Sequence, residues 1–159
     1  LICDKQPQNF RLLGPLALAL PSATFIHVRR DPRDIGLSCF QAMFAEQPWS
    51  FDLREIGAYL NGYRQLMAHW DRCLADRIVT LRYESLVGDP EREIRALLDS
   101  LRLPFAEPCL APHLNARDVN TASLDQVRRP ISTASVGRWR RFEKQLQPLI
   151  DELGDLSGF

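Results

Sequence analysis

Two adjacent arginines, Arg29 and Arg30, stand where an apolar run meets the start of a predicted helix, and this junction is suited to binding an anion. The run 25–28 (FIHV) predicts a short buried strand. Asp31 is a favourable N-cap, and Pro32 suits the first position of a helix. Backbone N–H groups, the helix dipole and guanidinium groups would therefore meet at one place. On these residues alone, an anion site and an arginine pair that only forms surface ion pairs both stay open.

Composition restricts the classes of protein to consider. The chain has 159 residues, of which 45% are apolar, so it can bury one core and is expected to form one domain. Its formal net charge of zero argues against a nucleic-acid partner, because nucleic-acid binders carry a strongly basic surface. The cations are nearly all arginine, and the only lysines are Lys5 and Lys144. Arginine favours bidentate contacts with oxyanions.

The four cysteines are far apart and contain no C-x-x-C pair, so neither a metal site nor a redox motif is predicted. Cys39 and Cys73 fall within helical patterns and are expected to fill core space. These features favour a reducing, cytoplasmic setting. No apolar run approaches the roughly eighteen residues that span a membrane, so no membrane partner is expected.

Predicted strands and helices alternate along the chain. The pattern predicts a strand end at 1–3, helices at 9–20 (capped by Asn9), 32–45, 53–74, 90–101 and 142–153, and strands at 25–28 and 78–83. Strand, helix, strand in this order implies a parallel crossover and an α/β sheet. Residues 103–135 show little periodicity, and a loop of that length in a compact domain is usually either functional or disordered.

Five segments carry a family resemblance: DKQP at 4–7, VRRDPRDIGLS at 28–38, LRYESLVGDPE at 81–91, SLDQVRRPIS at 123–132 and GRWRRF at 137–142. In this order and spacing they resemble the sulfotransferases that use 3′-phosphoadenosine 5′-phosphosulfate (PAPS). The resemblance is greatest to the tyrosylprotein-sulfotransferase branch and its bacterial relatives, some of which carry tetratricopeptide repeats that could lie upstream here. It implies a three-layer α/β/α fold with a central parallel sheet, like that of P-loop nucleotide hydrolases.

The resemblance also implies roles for individual residues. Arg30 and Ser38 match the residues that hold the 3′-phosphate, and Asp31, Asp34 and Ser38 share a helix face that leans back towards Arg30. The other residues that match nucleotide-binding positions are Tyr83, Ser123, Gln126, Val127, Arg128, Arg129, Pro130, Ser132 and Arg138. Arg138 stands where relatives have lysine. Lys5 and Ser123 match the residues beside the transferring sulfuryl group, where a loose transition state needs positioned cations.

Two parts of the family pattern do not occur in this sequence. The Gly- and Ser/Thr-rich loop that holds the 5′-phosphosulfate is not found, and neither His27, His69 nor His113 matches a family base. We therefore expect 1–159 to be the C-terminal portion of one sulfotransferase domain whose loop and first strand lie upstream of Leu1. This portion alone should be inactive.

Other functions stay open at this point. A P-loop kinase relative shares the strand-to-helix phosphate site, and a non-catalytic adaptor could bind an acidic partner through its arginines. For a sulfotransferase, the acceptor would be a hydroxyl of a peptide tyrosine, a sugar or a small molecule, with 46–52 and 104–120 as candidate acceptor segments. The oligomeric state is not predicted.

Overall fold

The alternation of strands and helices predicted from the sequence is present in the computed structural model, which describes residues 2–115 and 128–159. Its helices are α1 (Leu13–Ala19), α2 (Pro32–Ala42), α3 (Leu53–Cys73), α4 (Tyr83–Gly88), α5 (Pro90–Ser100) and α6 (Gln147–Leu153). Its strands are β1 (Phe25–Arg29) and β2 (Ile78–Arg82). Short 3₁₀ helices span Asn9–Leu12, Pro48–Phe51, Ala75–Arg77, Glu107–Leu110, Pro112–Leu114 and Arg138–Phe142.

Aspartates fix the starts of three helices. The side chain of Asp31 accepts a hydrogen bond from the backbone N–H two residues later at the start of α2, and Asp52 does the same for α3. Asp89 accepts from the N–H three residues later at the start of α5. Each carboxylate satisfies a backbone donor that has no partner within the helix and lies at the positive end of the helix dipole. The predicted starts of these helices are therefore confirmed.

The chain divides into two compact units, which are described separately. The first contains 1–25, 30–78 and 137–159, and the second contains 26–29 and 79–136. The second unit holds the paired parts of β1 and β2, which form a parallel two-stranded sheet, and also α4 and α5. The predicted α/β class and parallel pairing are thus confirmed.

The core of the first unit lies where α2, α3 and α6 pack together. α3 contributes Ile56 and Leu60 at the four-residue spacing of one helix face. The other members of this buried cluster are Leu37, Trp139, Leu146, Leu149 and Leu153. Trp139 brings the 3₁₀ helix 138–142 into the same core. The position of the segment 138–142 is therefore fixed by the packing of Trp139 in the core.

The N-terminal segment differs from the prediction. Residues 2–3 form no strand, and Ile2 is 96% exposed. A strand needs a neighbour to satisfy its backbone groups, and none of the described residues pairs with this segment. Asn9 does not cap a helix, because its side-chain amide donates instead to Asp4 (2.7 Å).

Two helix boundaries and one cysteine also differ from the prediction. α2 ends at Ala42 because Met43 adopts a left-handed conformation (φ 42°). The final α-helix starts at Gln147, five residues after the predicted start, where Pro148 occupies its first turn. Cys39 packs partly against the core, as predicted, whereas Cys73 is exposed. Within 2–115 and 128–159, no helix combines the length and apolar character needed to cross a membrane.

Candidate anion-binding site

Arg30 and Ser38 lie in the first unit, at the two ends of the segment that begins α2. Arg30 is half-buried and directly precedes the N-cap Asp31, while Ser38 is exposed two turns along the helix. Burial raises the pKa of the Cys39 thiol, and the positive charge of Arg30 acts in the opposite direction. The charge of Arg30 therefore acts on Cys39, the residue next to Ser38.

The two aspartates beside Arg30 are already engaged by other groups. Asp31 pairs with Arg33 in a bidentate contact, in which Nε donates to Oδ1 at 2.9 Å and Nη2 to Oδ2 at 2.7 Å. Burial tends to raise the pKa of Asp31, but the hydrogen bonds and charge of Arg33 outweigh it, so that the pKa is lowered. Asp34 is 2% exposed and accepts two backbone hydrogen bonds. The negative charges of Asp31 and Asp34 at the start of α2 are thus matched by donors.

Arg138 is held against the same helix. Its Nη2 donates to Oε1 of Gln41 at 3.1 Å, and Gln41 is three residues beyond Ser38, so that the two share a face of α2. Both Arg138 and Gln41 are exposed. The fold therefore brings a residue from the C-terminal motif to the helix of the N-terminal motif.

Lys5 also belongs to the first unit. It is exposed in the irregular segment before the first 3₁₀ helix. Next to it, the bond between Asn9 and Asp4 closes a turn, and the Asn9 N–H donates to the Gln6 carbonyl at 3.1 Å. The ammonium group of Lys5 is thus accessible to an anion beside an ordered turn.

The remaining candidate nucleotide-binding residues of the described part lie in the second unit. Tyr83 is half-buried and is the first residue of α4, directly after β2. Arg128, Arg129 and Pro130 are exposed. Ser132 is exposed too, and its hydroxyl accepts from the Ala134 N–H at 3.4 Å. Three further candidates, Ser123, Gln126 and Val127, lie outside the described residues.

The structure does not identify any of the three histidines as the general base for the acceptor proton. His27 lies in β1 and His113 in a short 3₁₀ helix, whereas His69 is exposed on α3 with Nε2 3.6 Å from the Cys73 sulfur. Across 2–115 and 128–159, His, Cys, Asp and Glu side chains form no group of three that could hold a metal ion.

The sequence did not single out Gln41, nor the pairing of Asp34 with the C-terminal motif. A signal for Gln41 existed, because it is three residues from Ser38 on a predicted helix. No local signal could have paired Asp34 with residues about a hundred positions later in the chain. Segment 46–52, a candidate acceptor segment, contains Trp49, which stacks on Tyr59 with ring centroids 4.0 Å apart.

Comparison with known proteins agrees with the resemblance carried by the motifs. A profile described as the sulfotransferase family matches residues 1–107, which include the first three of the five motif segments. The chain is 40% identical over 156 residues to an uncharacterised protein of Aquifex aeolicus, covering 96% of this chain and 20% of that protein.

Several curated relatives are named sulfotransferases, including proteins of an animal and of a bacterium. Protein-tyrosine sulfotransferase 1 of Danio rerio is 28% identical over 155 residues (87% of this chain, 41% of the relative). The omega-hydroxy-beta-dihydromenaquinone-9 sulfotransferase of Mycobacterium bovis is 32% identical over 119 residues (69% of this chain, 30% of the relative). The chain thus spans between a fifth and about two fifths of the length of these relatives. The family predicted from the motifs is confirmed, and the chain belongs to the sulfotransferase family.

Proposed function

We propose that this chain supplies the 3′-phosphate and adenosine site of a sulfotransferase that transfers a sulfuryl group from PAPS to a hydroxyl acceptor. In this proposal Arg30 and Ser38 bind the 3′-phosphate and Arg138 adds a second guanidinium. Tyr83 and the segment 123–132 contact the nucleotide.

The observation that carries the proposal is the charge arrangement along α2. Asp31 is neutralised by Arg33, and the carboxylate of Asp34 is buried against backbone N–H groups. Neither carboxylate therefore faces an incoming phosphate. Arg30, the hydroxyl of Ser38 and Arg138 have the donor types that suit a phosphate monoester: guanidinium groups form charge-assisted bonds and a hydroxyl can donate one more.

The chemistry we propose is sulfuryl transfer. The bond between sulfur and the bridging oxygen of the 5′-phosphate breaks, a bond from the acceptor oxygen to sulfur forms, and adenosine 3′,5′-bisphosphate leaves with the electron pair. The acceptor proton passes to a base that we do not assign to this chain. Charge accumulates on the leaving oxygen, and the compact ammonium of Lys5 would stabilise it, with Ser123 as a second contact. Because no base is assigned to this chain, we expect no turnover from it alone.

We also propose that the sheet is part of a larger three-layer α/β/α domain. The side chains of Ile26 and Val28, two residues apart on one face of β1, are 42% and 52% exposed. Parallel strands are normally covered on both faces. Further elements of the same protein, including the strand and loop that bind the 5′-phosphosulfate, would cover this face.

The acceptor we propose is a hydroxyl group. The names of the two sulfotransferase relatives specify a tyrosine in a protein and an omega-hydroxy menaquinone derivative, which both present a hydroxyl. The acceptor of this chain would therefore be a peptide tyrosine, a sugar or a small molecule.

Calorimetric titration of the full-length protein with adenosine 3′,5′-bisphosphate tests the proposal. Loss of charge-assisted bonds in Arg30→Ala should weaken binding about ten- to a hundred-fold, and Ser38→Ala about five-fold. Arg54→Ala, an exposed arginine on α3, is the control and should bind like the wild type. Unchanged affinity in Arg30→Ala would exclude Arg30 as a residue that binds the 3′-phosphate.

Competition with ATP distinguishes the proposal from a kinase-like function. ATP has no 3′-phosphate, so it should displace the bisphosphate poorly, and its affinity should be unaffected by Ser38→Ala. Equal affinity for the two nucleotides would favour the kinase-like function.

A further inference from the structure

A buried carboxylate on α2 fixes the backbone on both sides of Arg138. Oδ2 of Asp34 accepts from the N–H of Gly137 at 2.7 Å, and Oδ1 accepts from the N–H of Trp139 at 2.9 Å. Asp34 is 2% exposed, so both bonds are shielded from water. A buried carboxylate requires such donors, and the bonds are of the strong, charge-assisted type.

The conformation of Gly137 and the packing of Trp139 further fix the segment that Asp34 binds. Gly137 has φ +68°, a left-handed conformation that glycine adopts readily and that turns the chain into the 3₁₀ helix 138–142. Trp139 is buried in the core, and the guanidinium of Arg33 lies 3.8 Å from its ring centroid. The neighbours of Arg138 are therefore held by hydrogen bonds, and one of them also by packing.

The side chain of Arg138, between these two fixed residues, lies at the surface. It is exposed, and its contact with Gln41 holds its guanidinium on α2, one turn beyond Ser38. The backbone on both sides of this charge is thus hydrogen-bonded to a buried carboxylate.

From this arrangement we propose that Asp34 is a positioning residue for phosphate recognition: it holds Arg138 beside Ser38, where the guanidinium pairs with the dianionic phosphate monoester of a nucleotide. This inference rests on the proposed function, because it assumes that a 3′-phosphate binds at Ser38. Asp34 contributes to affinity for the phosphate only through Arg138.

A double-mutant cycle in the full-length protein tests this dependence. The quantity measured is selectivity, defined as the affinity for adenosine 3′,5′-bisphosphate divided by that for adenosine 5′-monophosphate. Arg138→Ala should lower the selectivity about ten-fold, through loss of a bond to a charged group. Asp34→Asn replaces one acceptor with an amide donor and should lower it by a similar factor. Because both act through one guanidinium, the double variant should lose no more than either single variant.

Two results would overturn the inference. A purely structural role for Asp34 would lower the melting temperature of Asp34→Asn and leave its selectivity at the wild-type value. Independent roles would make the losses multiply, to about a hundred-fold in the double variant. Asp71→Asn, an exposed aspartate on α3, is the control and should change neither quantity.

If Asp34→Asn does not fold, Gly137→Ala takes its place in the cycle. Alanine is strained at φ +68°, and its Cβ would lie 2.1 Å from Nη1 of Arg140, the flexible end of that side chain. The turn before Arg138 should loosen, with the same loss of selectivity as Arg138→Ala, and unchanged selectivity would again overturn the inference. A wild type without selectivity would instead reject the proposed function, so the two failures are distinguishable.

Discussion

The guanidinium of Arg33 lies 3.8 Å from the ring centroid of Trp139 and at the same time forms the bidentate pair with Asp31. One side chain therefore links the N-cap of α2 to the core tryptophan of the C-terminal segment. Stacking of a guanidinium on an indole combines a cation–π attraction with apolar contact. The start of α2 and the segment 137–142 are thus stabilised together, which leads to the first prediction.

The Asp31–Arg33 pair should make stability depend on pH in the acid range. The pKa of Asp31 is lowered below its ordinary value of 3.8 in the folded protein, so its contribution is present above that value and is lost as the pH falls through the folded pKa. Asp31→Asn keeps a good N-cap and removes the charge together with one of the two acceptor oxygens that bind Arg33. We expect it to lower the free energy of unfolding by about 1 kcal/mol at pH 7, a value discounted for partial exposure.

Urea denaturation at pH 7, 5 and 3 measures this difference between wild type and Asp31→Asn. The difference should be the same at pH 7 and 5 and should shrink at pH 3. A difference that stays constant down to pH 3 would show that the charge of Asp31 does not contribute. Asp71→Asn, which is exposed on α3, serves as the control.

A methyl group at Gly36 should disrupt the packing of α2 on α6. A Cβ placed there would lie 2.4 Å from Cδ2 and 3.1 Å from Cδ1 of Leu149, which is fully buried. Because Leu149 is buried in the core, relieving this clash would disturb its packing, and Gly36→Ala should destabilise the protein by about 1–3 kcal/mol.

Gly62→Ala is the matched control for this substitution. Gly62 lies within α3, and a Cβ there would meet nothing within 4 Å. It should raise the free energy of unfolding by about 0.5–1 kcal/mol, since alanine favours helices. Denaturation curves of the two variants compare the effects, and equal shifts of the same sign would contradict the packing argument.

Replacing Arg77 with lysine should destabilise the folded protein. Its guanidinium donates to three carbonyls after and within α1: Nη1 to Ala17 at 2.9 Å, Nη2 to Leu20 at 2.6 Å, and both Nε and Nη2 to Ala23. A single ammonium cannot reproduce this fork. Arg77→Lys should therefore lower the free energy of unfolding by about 2 kcal/mol.

The control for Arg77 is Arg72→Lys, an exposed arginine at the end of α3, which should shift stability by less than about 0.5 kcal/mol. Urea denaturation measures both variants. Similar small shifts in the two would mean that the hydrogen bonds of Arg77 contribute nothing to stability.

The Cys39 thiol should report on the charge of Arg30. Burial raises the pKa of this thiol, and the charge of Arg30 lowers it in part. The thiolate is the reactive form, so at pH 8 Cys39 should be alkylated by iodoacetamide more slowly than the exposed Cys73. Arg30→Ala removes the favourable charge and should slow Cys39 further.

Mass spectrometry of each cysteine peptide measures these rates. Cys73 should react alike in wild type and Arg30→Ala. Faster alkylation of Cys39 in the variant would show that Arg30 acts there by covering the thiol and not by its charge.

The sequence by itself determined the starts of α2, α3 and α5 and the family. Asp31 was predicted as an N-cap, and the structure confirms it. Asp52 and Asp89 cap α3 and α5 in the same way. The order of the motifs predicted the sulfotransferase family, which the comparisons confirm. The strand at 1–3 was wrong, because short apolar runs do not reveal whether a neighbour exists to pair with them. The final helix is present but starts at Gln147, five residues after the predicted start.

Only the tertiary structure decided which distant residues support one another. Asp34 reads locally as an acid in the first turn of a helix, yet it is buried against Gly137 and Trp139. Gln41 reads as a surface residue, yet it holds Arg138. Hydrogen bonds between segments a hundred residues apart depend on how α2, α3 and α6 pack, and no local pattern in the chain encodes that arrangement.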